Sequence, residues 1–472
     1  MEIRTALTYD DVLLVPKKST ITSRQDVDVS TLLTKDIKLK IPIVSSNMDT
    51  VTESRMAIAM SLAGGIGIIH RFCDIETQVR EVSRVKRKQN VIINNPFTVR
   101  SNNTLAEVKA KIAELNCTSF LVTDDGHKLL GIITHRDMLF AYNDAVLVSE
   151  LMTPKSKLIT AAQSVSPEEA KNLMKTYKIE KLPLVDADFN IMGLITATDI
   201  SRNLNNHQAS KDSKGRLLVG AAIGVRDGFL ERAKALIEAE VDVLVMDIAH
   251  GHSINALRSI EQIRNTYPNI NIIGGNIATA SAAKDMIAAG VQGVKVGIGP
   301  GSICTTRITT GFGVPQLTAI FNIAPICQAA GVPLIADGGV KQPADLVKAL
   351  AAGADAVMIG GQFAGTEETP GPTLNYKGRQ YKISRGMASL TAALSRPDAK
   401  EKINQITPEG IEARVPYRGP VQNVINTFIG GLRSGMSYGN ARNLNELRAN
   451  AEFIRITHSG QIESGSHDNE VI

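Results

Sequence analysis

Val241-Asp-Val-Leu-Val-Met-Asp-Ile248, Ile270-Asn-Ile-Ile-Gly-Gly-Asn276, Gly293-Val-Lys-Val-Gly-Ile-Gly299, Val332-Pro-Leu-Ile-Ala-Asp337 and Ala356-Val-Met-Ile-Gly360 decide the fold. Each run is apolar along most of its length and closes on Gly, Asp or Asn at or beside its end. Such runs read as strands buried on both faces, as in a parallel sheet covered by helices. Leu217–Ile223 opens the series, and the runs recur every ~23–39 residues, the spacing of βα units. Helical stretches lie between them; Thr279–Ala289 and Pro343–Ala352 are each ended by Gly. Two earlier runs, Ile41–Ser45 and Gly65–His70, bring the total to about eight. The expected architecture is α/β, a (β/α)8 TIM barrel, with a doubly wound open sheet as the alternative.

The segment 93–203 breaks this rhythm. Its first half ends Leu130-Gly-Ile-Ile-Thr-His-Arg-Asp137 and its second ends Met192-Gly-Leu-Ile-Thr-Ala-Thr-Asp199. Each half carries a helix, Leu105–Leu115 or Pro167–Tyr177, before that closing strand. A repeated unit of ~55–60 residues predicts an inserted pseudo-twofold domain, with halves at about 93–149 and 150–203. The barrel then takes 1–92 and 204–472, and Asn203–Gly215 reads as the returning linker.

Composition excludes several classes. Of the 472 residues 43% are hydrophobic and 21% charged, which is globular rather than disordered. Aromatics are only 4%, with no Trp, while Gly numbers 38, which suits many βα turns better than a β-sandwich. A net charge of +5 on so long a chain argues for neither nucleic acid nor an anionic membrane. Cys73, Cys117, Cys304 and Cys327 lie far apart without CxxC spacing, so neither a disulfide framework nor a zinc site is expected. No apolar run reaches membrane-spanning length and no signal peptide opens the chain, so the expected location is cytoplasmic.

In a (β/α)8 barrel the chemistry lies beyond the C-terminal ends of the strands. Ser46-Asn47-Met48-Asp49, Asp247, Gly275-Asn276, Gly297–Thr306, Asp337-Gly-Gly339 and Gly360-Gly361 occupy those places. The last two are glycine-rich turns opening onto helices, where backbone N–H groups favour a phosphate. They also serve any tight βα turn. Cys304, within a polar glycine-rich loop, reads either as a nucleophile or as a small buried hydrophobe. Tyr381–Arg418 loses the βα period and reads as an active-site lid, or as a variable surface loop.

Five motifs carry a resemblance: Leu7-Thr-Tyr-Asp-Asp-Val-Leu-Leu14, Asn47-Met-Asp-Thr-Val51, Gly297-Ile-Gly-Pro-Gly-Ser-Ile-Cys-Thr-Thr306, Ala336-Asp-Gly-Gly339 and Gly386-Met-Ala-Ser389. Over essentially its whole length the chain resembles the IMP dehydrogenase / GMP reductase family, and the insert looks like a pair of cystathionine-β-synthase (CBS) modules. The resemblance implies that Cys304 attacks C2 of a purine mononucleotide to give a covalent thioimidate, with Thr306 and Glu409 as the proton relay. It implies that Ser302, Gly338, Gly339, Gly360 and Gly361 hold the phosphate and Asp337 the ribose. Met387, Ala388 and Glu409 would face the base. Asp247, Asn276, Gly297, Ile298 and Gly299 would line the nicotinamide cofactor. Gly299, Gly301 and Cys304, with Glu463, Ser464 and Gly465 of a second copy, match a potassium site. The family's other implications are a homo-tetramer or octamer and regulatory purine nucleotides on the CBS pair.

Two reactions share that adduct. A dehydrogenase takes hydride from IMP and hydrolyses the adduct to XMP, which needs a base to activate water. A reductase expels ammonia from GMP and delivers hydride from NADPH. Dehydrogenases resembling this chain carry an Arg-Tyr pair in the lid. Here Ser395-Arg-Pro-Asp-Ala-Lys-Glu-Lys-Ile-Asn-Gln-Ile-Thr407 holds no Tyr and is several residues short. Pro16–Val27 and Thr310–Leu317 also look reductase-like, whereas the insert and the Pro408-Glu409 context are commoner in dehydrogenases using NAD. The lid favours GMP reductase, with IMP dehydrogenase as the alternative. A nucleotide sensor without turnover is a third reading, and the intact Cys304, Thr306 and Glu409 set argues against it.

Overall fold

The computed structural model describes residues 3–88, 92–93, 96–115, 117, 119–124, 128–139, 141, 143–205, 207–395 and 407–465. The chain forms two compact units. One comprises Met1–Lys88, Gln208–Asp212 and Leu217–Ile472, and the other Gln89–His207 with Ser213–Arg216. The crossings thus lie a few residues outside the expected insert 93–203.

The first unit is a closed eight-stranded parallel barrel. Its strands are β1 (Ile43–Ser45), β2 (Ile66–Ile69), β3 (Gly220–Ile223), β4 (Val243–Met246), β5 (Asn271–Ile277), β6 (Gly293–Val296), β7 (Leu334–Asp337) and β8 (Ala356–Ile359). All eight expected runs are strands, and closure comes where β8 pairs with β1 and β2 with β3. The alternative of an open sheet is thereby excluded. Several strands are shorter than their apolar runs. Leu217, for example, bridges antiparallel to Lys211 before β3 begins.

The lumen is filled by Val44, Ile66, Ile68, Val243, Val245, Ile273, Ile335 and Met358. A small antiparallel hairpin, Thr31–Leu32 with Lys38–Leu39, adds Leu33, Ile37 and Leu39 to that cluster. Its bonds go to residues just before strands: Lys35 N–H to Gln292 O, Lys40 N–H to Gly64 O and Thr31 Oγ1 to Asp355 O. The hairpin therefore plugs the N-terminal mouth, and only the opposite end is left for a ligand. Helix starts follow local chemistry. Thr279 caps Ala280–Ala288 through Ala282 N–H, and Gln342 with Asp345 forms a capping box on Pro343–Ala351.

Below the barrel, Lys86 is almost fully buried. Its Nζ reaches Asp242 Oδ2 at 2.6 Å and Asp212 Oδ2 at 3.0 Å. After β8 a three-stranded antiparallel sheet forms from β9 (Leu374–Tyr376), β10 (Arg379–Arg385) and β11 (Glu412–Pro416), with Arg385 opposite Glu412. The sheet begins before the stretch expected as a lid, Tyr381–Arg418, which holds most of β10 and all of β11; residues 396–406, which make up most of Ser395–Thr407, are outside the described residues.

The second unit has two sheets. Thr98–Arg100, Ser119–Thr123, Leu129–Thr134 and Thr153–Pro154 form one; Lys181–Val185, Ile191–Thr196 and Ile92–Ile93 form the other. Ile92–Ile93 pairs with the second half and Thr153–Pro154 with the first, so each half lends a short strand across the expected division at 149/150. The helices Leu105–Leu115 and Pro167–Tyr177 stand where the sequence places them. The repeated Thr-x-x-Asp is a helix start in both halves: Thr134 Oγ1 donates to Asp137 at 2.7 Å and Thr196 Oγ1 to Asp199 at 2.6 Å. The second helix, Ala197–Asn205, runs into the stretch expected as linker.

Candidate active site

A cavity of about 570 Å³ opens at the C-terminal ends of the barrel strands, lined by Cys304, Thr306, Glu409, Asp247, Asn276 and Asp337 among others. Cys304 follows β6 in the Gly297–Thr305 loop and is partly exposed. Its sulfhydryl donates to Thr306 Oγ1 at 3.2 Å, and the Thr306 hydroxyl donates to Glu409 Oε2 at 2.8 Å. Backbone bonds fix this chain of groups. Thr305 N–H donates to Glu409 O, and Glu409 N–H to Ala388 O, both at 2.9 Å. Gly410 bridges to Cys304, so the residues returning from the lid pair with the cysteine loop. A thiol, a hydroxyl and a carboxylate in series can move a proton away from sulfur as it becomes a nucleophile.

Beside this lies a floor of glycines. An added Cβ on Gly361 would sit 2.8 Å from Ser302 Oγ, and on Gly338 3.2 Å from Gly301 N. Gly338 and Gly339 also adopt φ of 90° and 81°, the left-handed region open to glycine. Gly361 thus lets Ser302 approach, and Gly338 lets the Pro300-Gly301 backbone approach, only because side chains are missing there. Gly360 abuts Met48 Sδ, where a Cβ would stand at 3.0 Å. Met387 and Ala388 line the cavity above.

Asp337 ends β7 and accepts from Asn276 Nδ2 at 2.9 Å and from Lys295 Nζ at 3.1 Å. Lys295 also bonds Asn276 Oδ1, and the Asn276 amide holds Gly297 O at 2.8 Å. Lys295 was not foreseen as a site residue. Its signal was available: it is the one charge in β6, and it is buried.

Asp247 follows β4 and has both oxygens engaged. Oδ1 accepts from Asn47 Nδ2 at 2.9 Å and Oδ2 from Arg71 Nε at 2.6 Å. Arg71, just beyond β2, is a second residue that the sequence reading missed. Arg71, Phe72, Ile248 and Ala249 form this side of the cavity, with Ile298 and Gly299 nearby. Gly299 and Gly301 share the loop of Cys304. Glu463, Ser464 and Gly465 lie instead at the end of the short exposed helix His458–Glu463 and just beyond it.

Among the described residues no group of His, Cys, Asp and Glu is arranged to hold a metal, and no helix is long and apolar enough to cross a membrane.

The family model described as IMP dehydrogenase / GMP reductase domain matches residues 6–467. An inosine-5'-monophosphate dehydrogenase of Aquifex aeolicus is 50% identical over 476 residues, covering 100% of this chain and 97% of the relative. A GMP reductase of Leishmania donovani is 45% identical over 479 residues, covering 98% and 96%. Among solved structures, a GMP reductase variant from Trypanosoma brucei in complex with guanosine 5'-monophosphate superposes with a TM-score of 0.89 at 43% identity, covering 99% of both chains. The same enzyme in complex with guanosine 5'-triphosphate gives 0.77 at 40% identity, covering 96% and 98%. The barrel, the cysteine loop and matches along nearly the whole chain lead to one conclusion: the chain belongs to the IMP dehydrogenase / GMP reductase family.

Proposed function

We propose that the protein is a GMP reductase, converting GMP to IMP and ammonia with NADPH through a covalent Cys304 adduct. The observation that carries the choice is the lid sequence Ser395–Thr407, which has no Tyr and no Arg-Tyr pair to activate water. The reductases of Leishmania and Trypanosoma support it, because matches over nearly the whole length include reductases.

The chain's own groups account for the first half of the reaction. The Cys304 proton passes by way of Thr306 to Glu409, and the freed sulfur adds to C2 of the purine. The C2–N bond of the 2-amino group then breaks, and Glu409 returns a proton by way of Thr306 to the departing ammonia. This leaves a thioimidate in which C2 is bonded to sulfur. A nicotinamide held beside C2 would supply the hydride that C2 needs; Cys304 then leaves C2 as the thiolate, freeing IMP, and regains its proton from solvent by way of Glu409 and Thr306. Ser302, Gly338, Gly339, Gly360 and Gly361 hold the phosphate, Asp337 takes the ribose hydroxyls, and Met387 and Ala388 face the base.

The residues present fit a nicotinamide. Gly297 borders the cavity with backbone alone, because a Cβ there would fall 2.1 Å from Asp337 O and force the ends of β6 and β7 apart. Ile248, Ala249, Phe72 and Ile298 give an apolar wall, and Asp247, Asn276 and Gly299 border it. Potassium suits the carbonyl oxygens of Gly299, Gly301 and Cys304, joined by Glu463, Ser464 and Gly465 of a second copy in a tetramer or octamer. The second unit acts as a CBS pair binding regulatory purine nucleotides, a reading supported by its two Thr-x-x-Asp helix starts.

A second reading, NAD-dependent oxidation of IMP to XMP, is favoured by relatives such as that of Aquifex aeolicus, named as a dehydrogenase. A paired assay of the purified protein separates the two. Loss of NADPH with GMP, accompanied by ammonia, is the expected result. Formation of NADH and XMP from IMP, NAD and potassium overturns the reductase in favour of the dehydrogenase.

A further inference from the structure

The Ser46–Thr52 loop after β1 is held rigidly from within. Thr52, fully buried, donates to Ser46 O at 2.6 Å and lies 2.8 Å from Ser45 Oγ, while Val51 N–H and Thr52 N–H both return to Met48 O. From this frame the loop reaches Arg385, the last residue of β10. Asp49 Oδ2 pairs with Arg385 Nη2, and Thr50 Oγ1 accepts Arg385 N–H at 3.1 Å. Residues 386–388 follow directly, and their backbone carries Glu409 through the Ala388 carbonyl. The ion pair thus ties the segment expected to face the base to the rigid end of a barrel strand.

The pair is one-handed. Asp49 Oδ1 and Arg385 Nε are both buried and have no hydrogen-bond partner. An arginine and a carboxylate ordinarily close as a fork with two parallel bonds, and buried polar atoms left unpaired are unfavourable. A second arrangement, with Nε on Oδ1, is therefore available to the same two side chains. We infer that Asp49 and Arg385 are positioning residues for nucleotide binding: the pair closes to its forked form as the purine is bound and carries Gly386, Met387 and Ala388 onto the base. This inference rests on reading the cavity as a purine mononucleotide site.

Asp49→Asn and Arg385→Lys test it, with GMP and IMP binding measured by titration calorimetry on the full chain, beside KM and kcat. Lysine keeps the charge and cannot fork. Nucleotide affinity is expected to fall about tenfold in Asp49→Asn and several-fold in Arg385→Lys, with KM rising more than kcat falls. Should Asp49→Asn fail to fold, Arg385→Lys decides alone. Affinities within about twofold of the unaltered protein, even with a lowered Tm, overturn the positioning role. Failure of the unaltered protein to bind either nucleotide overturns the site reading, and the inference with it.

Discussion

Thr306 Oγ1 lies 2.8 Å from Glu409 Oε2, although 103 positions of sequence separate the two residues. The hydroxyl is held in turn by the cysteine sulfhydryl, so the carboxylate governs proton movement at sulfur without touching it. Glu409→Gln preserves shape and removes the base. Single-turnover measurement is expected to show the step at C2 slowed by about 10²-fold or more, with little change in nucleotide KM. A change confined to KM would make Glu409 a binding residue instead.

Cys304→Ser removes the atom that forms the adduct and little else. Turnover is expected to vanish while calorimetry still detects the mononucleotide, because the glycine floor and Asp337 are untouched. Substantial residual turnover would sink the covalent mechanism.

Burial pushes the Cys73 thiol up to about 11 and the Cys327 thiol up to about 12. At pH 8 only about one Cys73 in a thousand, and about one Cys327 in ten thousand, is the reactive thiolate. Brief iodoacetamide treatment followed by peptide mapping is expected to label Cys304 ahead of both, and bound nucleotide to slow that labelling. Equal labelling of Cys327 would contradict its burial.

Removing the insert between the two crossings, joined by a short linker, is expected to leave a folded barrel that turns over substrate and no longer responds to purine nucleotides. An unfolded product would show that the insert supports the barrel.

Lys86→Ala leaves Asp242 and Asp212 buried without their ammonium. Breaking a buried pair costs roughly 3–5 kcal/mol, which urea unfolding at neutral pH would register. Burial already raises the Asp242 carboxyl above its ordinary value, with Lys86 holding it down. In the variant the folded chain takes up this proton at a higher pH than the unfolded chain does. Part of the lost stability should therefore return as pH falls from above the raised folded-state pKa towards the ordinary Asp value.

The barrel was legible because its strands are buried on both faces, and continuous apolar runs such as Val241–Ile248 announce that state. The repeat in the insert was legible for a similar reason, since Gly-[Leu/Ile]-Ile-Thr-x-x-Asp joins a strand to a capped helix in each half. What escaped depends on distant partners. The Thr31–Leu39 hairpin is too short to show a period, and its Leu33 matters only because a lumen lies above it. Arg71 became a site residue by meeting Asp247, 176 positions away. The relay could be named from the cysteine-loop motif and the lid, but its connection through Ala388 and Gly410 is a matter of backbone pairing that no single segment encodes.

The buried ammonium of Lys86 stands near the end of the helix that leads out of the barrel, and its partner Asp212 stands where the chain comes back. The ammonium thus joins one end of the excursion directly to the other and anchors that junction on Asp242. The entropic cost of closing a loop depends on bringing its ends together and grows only slowly with what lies between. With the ends already joined, the barrel pays little for the length or content of that excursion. Evolution can therefore exchange, shorten or decorate this appendix while the catalytic scaffold keeps its seams closed.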